Sequence, residues 1–114
     1  MPKVLIVEDD RGFQRMYAGS LEAFELIQAY DWNDGLRLFQ EHADSLDAIV
    51  LDGNLGNGDC GDTLAQAFRN AGYTGPMIAT SHASETQEML LESGCDHRVD
   101  SKFGVCDLLV KLLA

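Results

Sequence analysis

The chain has 114 residues, the size of one ordinary domain, and a 46% hydrophobic content that is enough for a core. A formal net charge of −11 argues against a basic face for nucleic acid. No apolar run nears the ~20 residues of a membrane-spanning helix, and Met1-Pro2-Lys3 opens no signal-peptide pattern; the expectation is one soluble cytoplasmic domain over residues 1–114, with no nucleic-acid or membrane partner.

Taken in chain order, short apolar runs alternate with helical periods. Lys3 to Val7 is nearly continuously apolar, as in a strand covered on both faces. Phe13, Met16, Tyr17, Leu21 and Phe24 recur at steps that predict an amphipathic helix. Leu26 to Tyr30 reads as a second strand, and Asn33 is placed to cap a helix carrying Leu36 and Phe39. Ala48 to Leu51 is a third buried strand, followed by a loop with Gly53, Gly56, Gly58 and Gly61. A helix with Leu64, Ala67 and Phe68 ends near Gly72, and Pro76 opens a fourth strand from Met77 to Thr80. Ser84 and Gln87 have capping-box spacing for a helix that ends at Gly94. Residues 95–100 form a polar fifth strand at an edge, and Val105, Leu108, Leu109 and Leu112 form the last helical stripe.

Five such βα units predict a parallel sheet with helices on both faces, because right-handed crossovers put them there. Ligands of these sheets bind outside the carboxyl ends of the strands. The residues at those ends are Glu8, Asp9 and Asp10 after strand one, Asp52 after strand three, Ser81 after strand four and Lys102 after strand five. Any one of them alone reads as a solvated loop residue. Together they form a set of carboxylates, a hydroxyl and an ammonium.

Two carboxylates about 5 Å apart repel by roughly 3 kcal/mol at an effective dielectric of 20, so clustering them calls for a cation. Two or three carboxylates suit Mg²⁺, which keeps several waters and leaves space for phosphate oxygens. A carboxylate in such a site can attack phosphorus, with a metal, an ammonium and a hydroxyl stabilising the equatorial oxygens. The three cysteines, Cys60, Cys95 and Cys106, lack metal-ligand spacing and suit a reduced compartment.

Three stretches carry a family resemblance. Lys3 to Asp10 (KVLIVEDD) resembles the first strand and acidic pair of CheY-like receiver domains of two-component response regulators. Asp47 to Asp52 (DAIVLD) is similar to their third strand, which ends in the phosphoacceptor. Pro76 to Ser81 (PMIATS) resembles the fourth strand, which ends in a switch hydroxyl. The resemblance spans essentially the whole chain. It implies a flavodoxin-like (βα)5 doubly wound fold with strand order 2-1-3-4-5. It further implies Asp52 as phosphoacceptor, Asp9 as a direct Mg²⁺ ligand, Glu8 acting through water, the Asn54 carbonyl as a further ligand, and Ser81 contacting the phosphoryl group. Asp10 is then a bystander.

The chain departs from the family in four places. Ser101-Lys102-Phe103 replaces the usual Lys-Pro, so an ungapped alignment puts Ser101 in the lysine position. Lys102 reaches the site only through a one-residue slide or bulge. Without the proline, the Lys102–Phe103 bond should not be cis. Gly56 stands where the family often carries proline, which predicts a more mobile loop; His82 follows Ser81, where a small residue is usual; and Arg98 stands where an aromatic switch is common.

The resemblance implies a phosphoacceptor signalling domain rather than an enzyme, catalysing only its own phosphorylation and dephosphorylation. Its partners would be a sensor histidine kinase or histidine phosphotransfer protein and a downstream protein. Two other readings stay open: a pseudo-receiver whose signalling does not need phosphorylation, and a haloacid-dehalogenase-type phosphatase. The second is disfavoured because Asp52-Gly53-Asn54 lacks that family's second acid.

Overall fold

A computed structural model describes residues 1–81 and 83–113. The strands are β1 (Lys3–Val7), β2 (Glu25–Ala29), β3 (Ala48–Leu51), β4 (Met77–Ala79) and β5 (His97–Arg98). The helices are α1 (Arg11–Ser20), α2 (Trp32–His42), α3 (Gly61–Asn70), α4 (Ser84–Ser93) and α5 (Val105–Leu113). All strand pairs are parallel, in the order β2-β1-β3-β4-β5. The parallel sheet is what the alternation predicts, and the flavodoxin-like strand order is the one that the resemblance implies.

Because side chains alternate across a strand, the sheet feeds two cores. Leu5, Val7, Ile49, Leu51, Met77 and Ala79 face α2, α3 and α4 through Phe39, Leu64, Phe68 and Leu90. Val4, Ile6, Ala48, Val50 and Ile78 face α1 and α5 through Tyr17, Leu21, Val105 and Leu109. The near-continuous apolar runs of β1 and β3 follow from this double burial. At Gly35 of α2, an added Cβ would lie 2.8 Å from Leu64 and 3.2 Å from Val7, so glycine sets how closely α2 lies on the sheet and α3.

The register positions the site. Val7 pairs with Ala29 and Leu51, Leu51 with Ala79, and Ala79 with Arg98. The carboxyl ends of the strands are therefore level, and Glu8 and Asp52 follow paired residues on the two central strands.

Local boundaries depart from the sequence expectations at several points. Asp31, not Asn33, caps α2, its Oδ1 accepting from the Asp34 amide at 2.7 Å. The residue before α4 is Ala83, with no side-chain cap, so Ser84 lies inside the helix and the capping box does not form. Helix α1 stops at Ser20, which leaves Leu21 and Phe24 buried in the connection to β2. The fifth strand is two residues, not six. It lies at the edge and gains pairing only from β4, so little holds a polar segment in the ladder.

Candidate functional site

Glu8, Asp52 and Ser81 are delivered by the ends of β1, β3 and β4. Glu8 is fully buried, Asp52 is 7% exposed, and Asp9 is exposed at the rim. One carboxylate oxygen from each of these three residues lies within 4.8 Å of the others. Asp10 also lines the cleft, and its Oδ1 caps α1 by accepting from the Phe13 amide at 3.1 Å.

Lys102 reaches this cluster. A single 3-10 turn over Lys102–Gly104 precedes α5 and turns the side chain inward, where it is 5% exposed. Its Nζ donates to Glu8 Oε1 and lies 3.5 Å from Asp52 Oδ2. Ser101, the alternative from ungapped alignment, is exposed, and its Oγ accepts from the Phe103 amide at 3.2 Å. No peptide bond among the described residues is cis.

Ser81 is 7% exposed and lines, with Asp52, Asn54, Thr86 and Lys102, an open cleft of about 770 Å3 above the carboxylates. His82, which follows Ser81, lies outside the described residues. Asn54 forms an isolated antiparallel bridge with Cys60. Hydrogen bonds from Gly61 N to Gly53 O (2.9 Å) and from Leu55 N to Asp59 O (3.2 Å) flank that pair. In this pattern the Asn54 carbonyl points away from the ladder and is available to a ligand.

Two glycines fit the loop to the site. A Cβ on Gly61 would sit 2.1 Å from the Asp52 carbonyl oxygen, so α3 can start against the end of β3 only without a side chain there. A Cβ on Gly53 would lie 2.1 Å from Thr86 Cγ2 of α4. Gly56 has φ +78°, which a proline ring cannot adopt, so the loop follows a path closed to the family's usual residue.

Burial pushes the Glu8 carboxyl up to about 7; the bond from Lys102 pulls it down and the Asp52 charge raises it again. The Tyr17 hydroxyl beneath the site is held neutral, first by burial and then by the charges of Glu8 and Asp52. Sequence reasoning missed Phe13 as part of the site. Its ring lies 4.3 Å from Lys102 Nζ, yet its spacing marks it only as a core residue of α1.

No family model and no curated protein matches the chain by sequence. Solved structures match it over nearly its whole length. The chemotaxis protein CheY4 of Vibrio cholerae superposes with a TM-score of 0.83 at 21% identity, over 99% of each chain. The receiver domain of Francisella response regulator 1452 gives 0.75 at 25% identity, over 98% of this chain and 93% of that one. CheY in the CheX-CheY-BeF3-Mg complex of Borrelia burgdorferi gives 0.84 at 16% identity, over 99% and 90%.

The chain has the fold of a response-regulator receiver domain.

In this receiver fold, the acidic corner has the donor set for a hard divalent cation. Three carboxylate oxygens lie within one coordination sphere's span. Both Glu8 oxygens already have partners, Lys102 Nζ and the Asp10 amide at 3.2 Å. Asp9 and Asp52 would therefore be the more available of the three to a bound cation. The three cysteines are free; burial pushes the Cys95 thiol up to about 12, which leaves it inert.

Proposed function

We propose that this protein is a phosphoacceptor of a two-component or phosphorelay system, with Asp52 taking a phosphoryl group from a phosphohistidine. The observation that carries the reading is the convergence of Asp52, Glu8 and Asp9 within 4.8 Å, with the Lys102 ammonium 3.5 Å from Asp52. Clustered carboxylates beside an ammonium, at the mouth of an open cleft, suit a negatively charged phosphoryl group bound with a cation.

In the reaction, an Asp52 carboxylate oxygen forms a bond to phosphorus as the P–N bond to the donor imidazole breaks and the imidazole takes the electron pair. Lys102, 3.5 Å from Asp52 and lining the same cleft, would neutralise charge on one phosphoryl oxygen. Ser81, at the end of β4, would donate its hydroxyl to another. Asp9, Asp52 and the Asn54 carbonyl would hold Mg²⁺, with Glu8 behind them, and the ion would neutralise charge on the transferring group. Water later attacking the acyl phosphate would return Asp52 to its free form. The protein is thus a signalling domain that turns over only its own modification.

The donor would be a sensor histidine kinase or a histidine phosphotransfer protein, and the output a contact with a downstream protein. The added charge of about −1.5 to −2 at the end of β3 would be what that protein senses. No helix among the described residues is long and apolar enough to cross a membrane, which fits a cytoplasmic place of action.

Incubation with acetyl phosphate and Mg²⁺, and separately with a phosphorylated histidine phosphotransfer protein, followed by intact-mass measurement, tests this reading. One added phosphate in wild type and none in Asp52→Asn is the expected result. No phosphate gain from either donor overturns it.

A further inference from the structure

The ammonium of Lys102 is an unusual buried charge. It is 5% exposed, it comes from a 3-10 turn rather than from a strand, and the preceding serine faces outward. An ammonium on a four-carbon stem has many rotamers, and carboxylates attract it without fixing its direction. Something must hold the stem.

Phe13 lies where it can do so. Its ring face lies 4.3 Å from Lys102 Nζ, on the first turn of α1 directly after the acidic loop. The edge of the Phe103 ring closes on it, with centroids 6.3 Å apart and planes at 63°. The Phe13 amide is itself tied to Asp10 at 3.1 Å, so the ring's backbone is anchored to the loop that carries Glu8 and Asp9. One side of the ammonium thus meets a π face, while its N–H groups are left for Glu8 and Asp52.

We propose that Phe13 is a positioning residue that aims Lys102 at Asp52 through a cation–π contact, with Phe103 bracing the ring. A π face attracts the cation without consuming a directed N–H. It holds the ammonium in the cleft and leaves its donors available for oxygen. This supplies an orientation that the one-residue displacement of the lysine would otherwise leave undefined. Phe103 is 74% exposed, and its contact with Phe13 is made at the surface end of that ring pair. The proposal deepens the phosphoacceptor reading, and in the phosphorylation measurement it rests on that reading.

The test has two independent readouts on the full chain. First, the ε-methylene protons of Lys102, read by NMR in the absence of phosphate and metal, should be displaced upfield by the Phe13 ring current. Phe13→Leu should abolish that displacement and Phe13→Trp should retain it. No displacement in wild type, or one that persists in Phe13→Leu, overturns the proposal without reference to any phosphoryl chemistry. Second, the rate of phosphate gain from acetyl phosphate should drop about tenfold in Phe13→Leu and recover in Phe13→Trp. A wild-type rate in Phe13→Leu overturns the positioning role. If the ring-current shifts behave as expected and wild type takes up no phosphate from either donor, Phe13 still positions Lys102 and the phosphoacceptor reading is what fails.

Discussion

At the scale of single residues, Glu8 is the group most altered by its surroundings. Burial raises its carboxyl from 4.5 to about 7, so in that window the folded chain keeps a proton that the unfolded chain has released. Stability then falls as pH rises, because the folded state binds more protons. The Glu8 contribution is fully present below the unfolded value and lost as pH climbs through about 7. Urea midpoints of the metal-free protein should show this: relative to Glu8→Gln, wild type loses stability between about pH 5 and about pH 8. A difference that stays flat across that range would contradict the assignment. Strand-end position alone made Glu8, Asp9, Asp52 and Ser81 legible in the sequence. Lys102 was in that strand-end set too, with a one-residue slide needed to bring it in, but the 3-10 turn that supplies the slide and turns Ser101 outward was not legible.

At the scale of elements, the contact of α4 with the loop after β3 is set by Gly53. A Cβ there would collide with Thr86 Cγ2 at 2.1 Å, so Gly53→Ala should destabilise by roughly 1–3 kcal/mol through overpacking. Thr86→Ser deletes the offending methyl. The double variant should therefore lose less than the sum of the two single losses, by about 1 kcal/mol in a denaturation cycle. Strict additivity would mean that α4 simply moves aside. The helices themselves were readable from their apolar period, but their starts were less so. Asp31 and Asn33 both have capping side chains, and the choice fell to Asp31 because the chain leaves β2 only one residue earlier, at Tyr30. Ser84 lost the capping role because the helix begins at Ser84 itself, with Ala83 preceding it in extended conformation.

At the scale of the whole molecule, 19 acidic residues against 8 lysines and arginines make self-repulsion a general cost of compactness. Sodium chloride should raise the thermal midpoint gradually by screening. Millimolar Mg²⁺ should raise it further than sodium chloride of equal ionic strength, and saturably, because binding to the folded state alone adds stability by mass action. Asp9→Asn should remove the saturable part and leave the gradual one. An identical Mg²⁺ response in that variant would place the ion elsewhere on the acidic surface.

Local pattern by itself determined the strand–helix alternation, the double burial of β1 and β3, and the acidic and hydroxyl residues at the strand ends. These follow from side-chain periodicity and from the handedness of the crossovers, which act within a few residues or one βα unit. Tertiary structure alone decided how the ends lie level, through the register of Val7, Leu51 and Ala79. It also decided that Lys102, not Ser101, enters the cleft, and that an aromatic ring from α1 lies against its ammonium. Those outcomes depend on which surfaces meet between residues far apart in the chain, 94 positions for Glu8 and Lys102 and 50 for Asp52 and Lys102, and no short-range pattern encodes such a meeting.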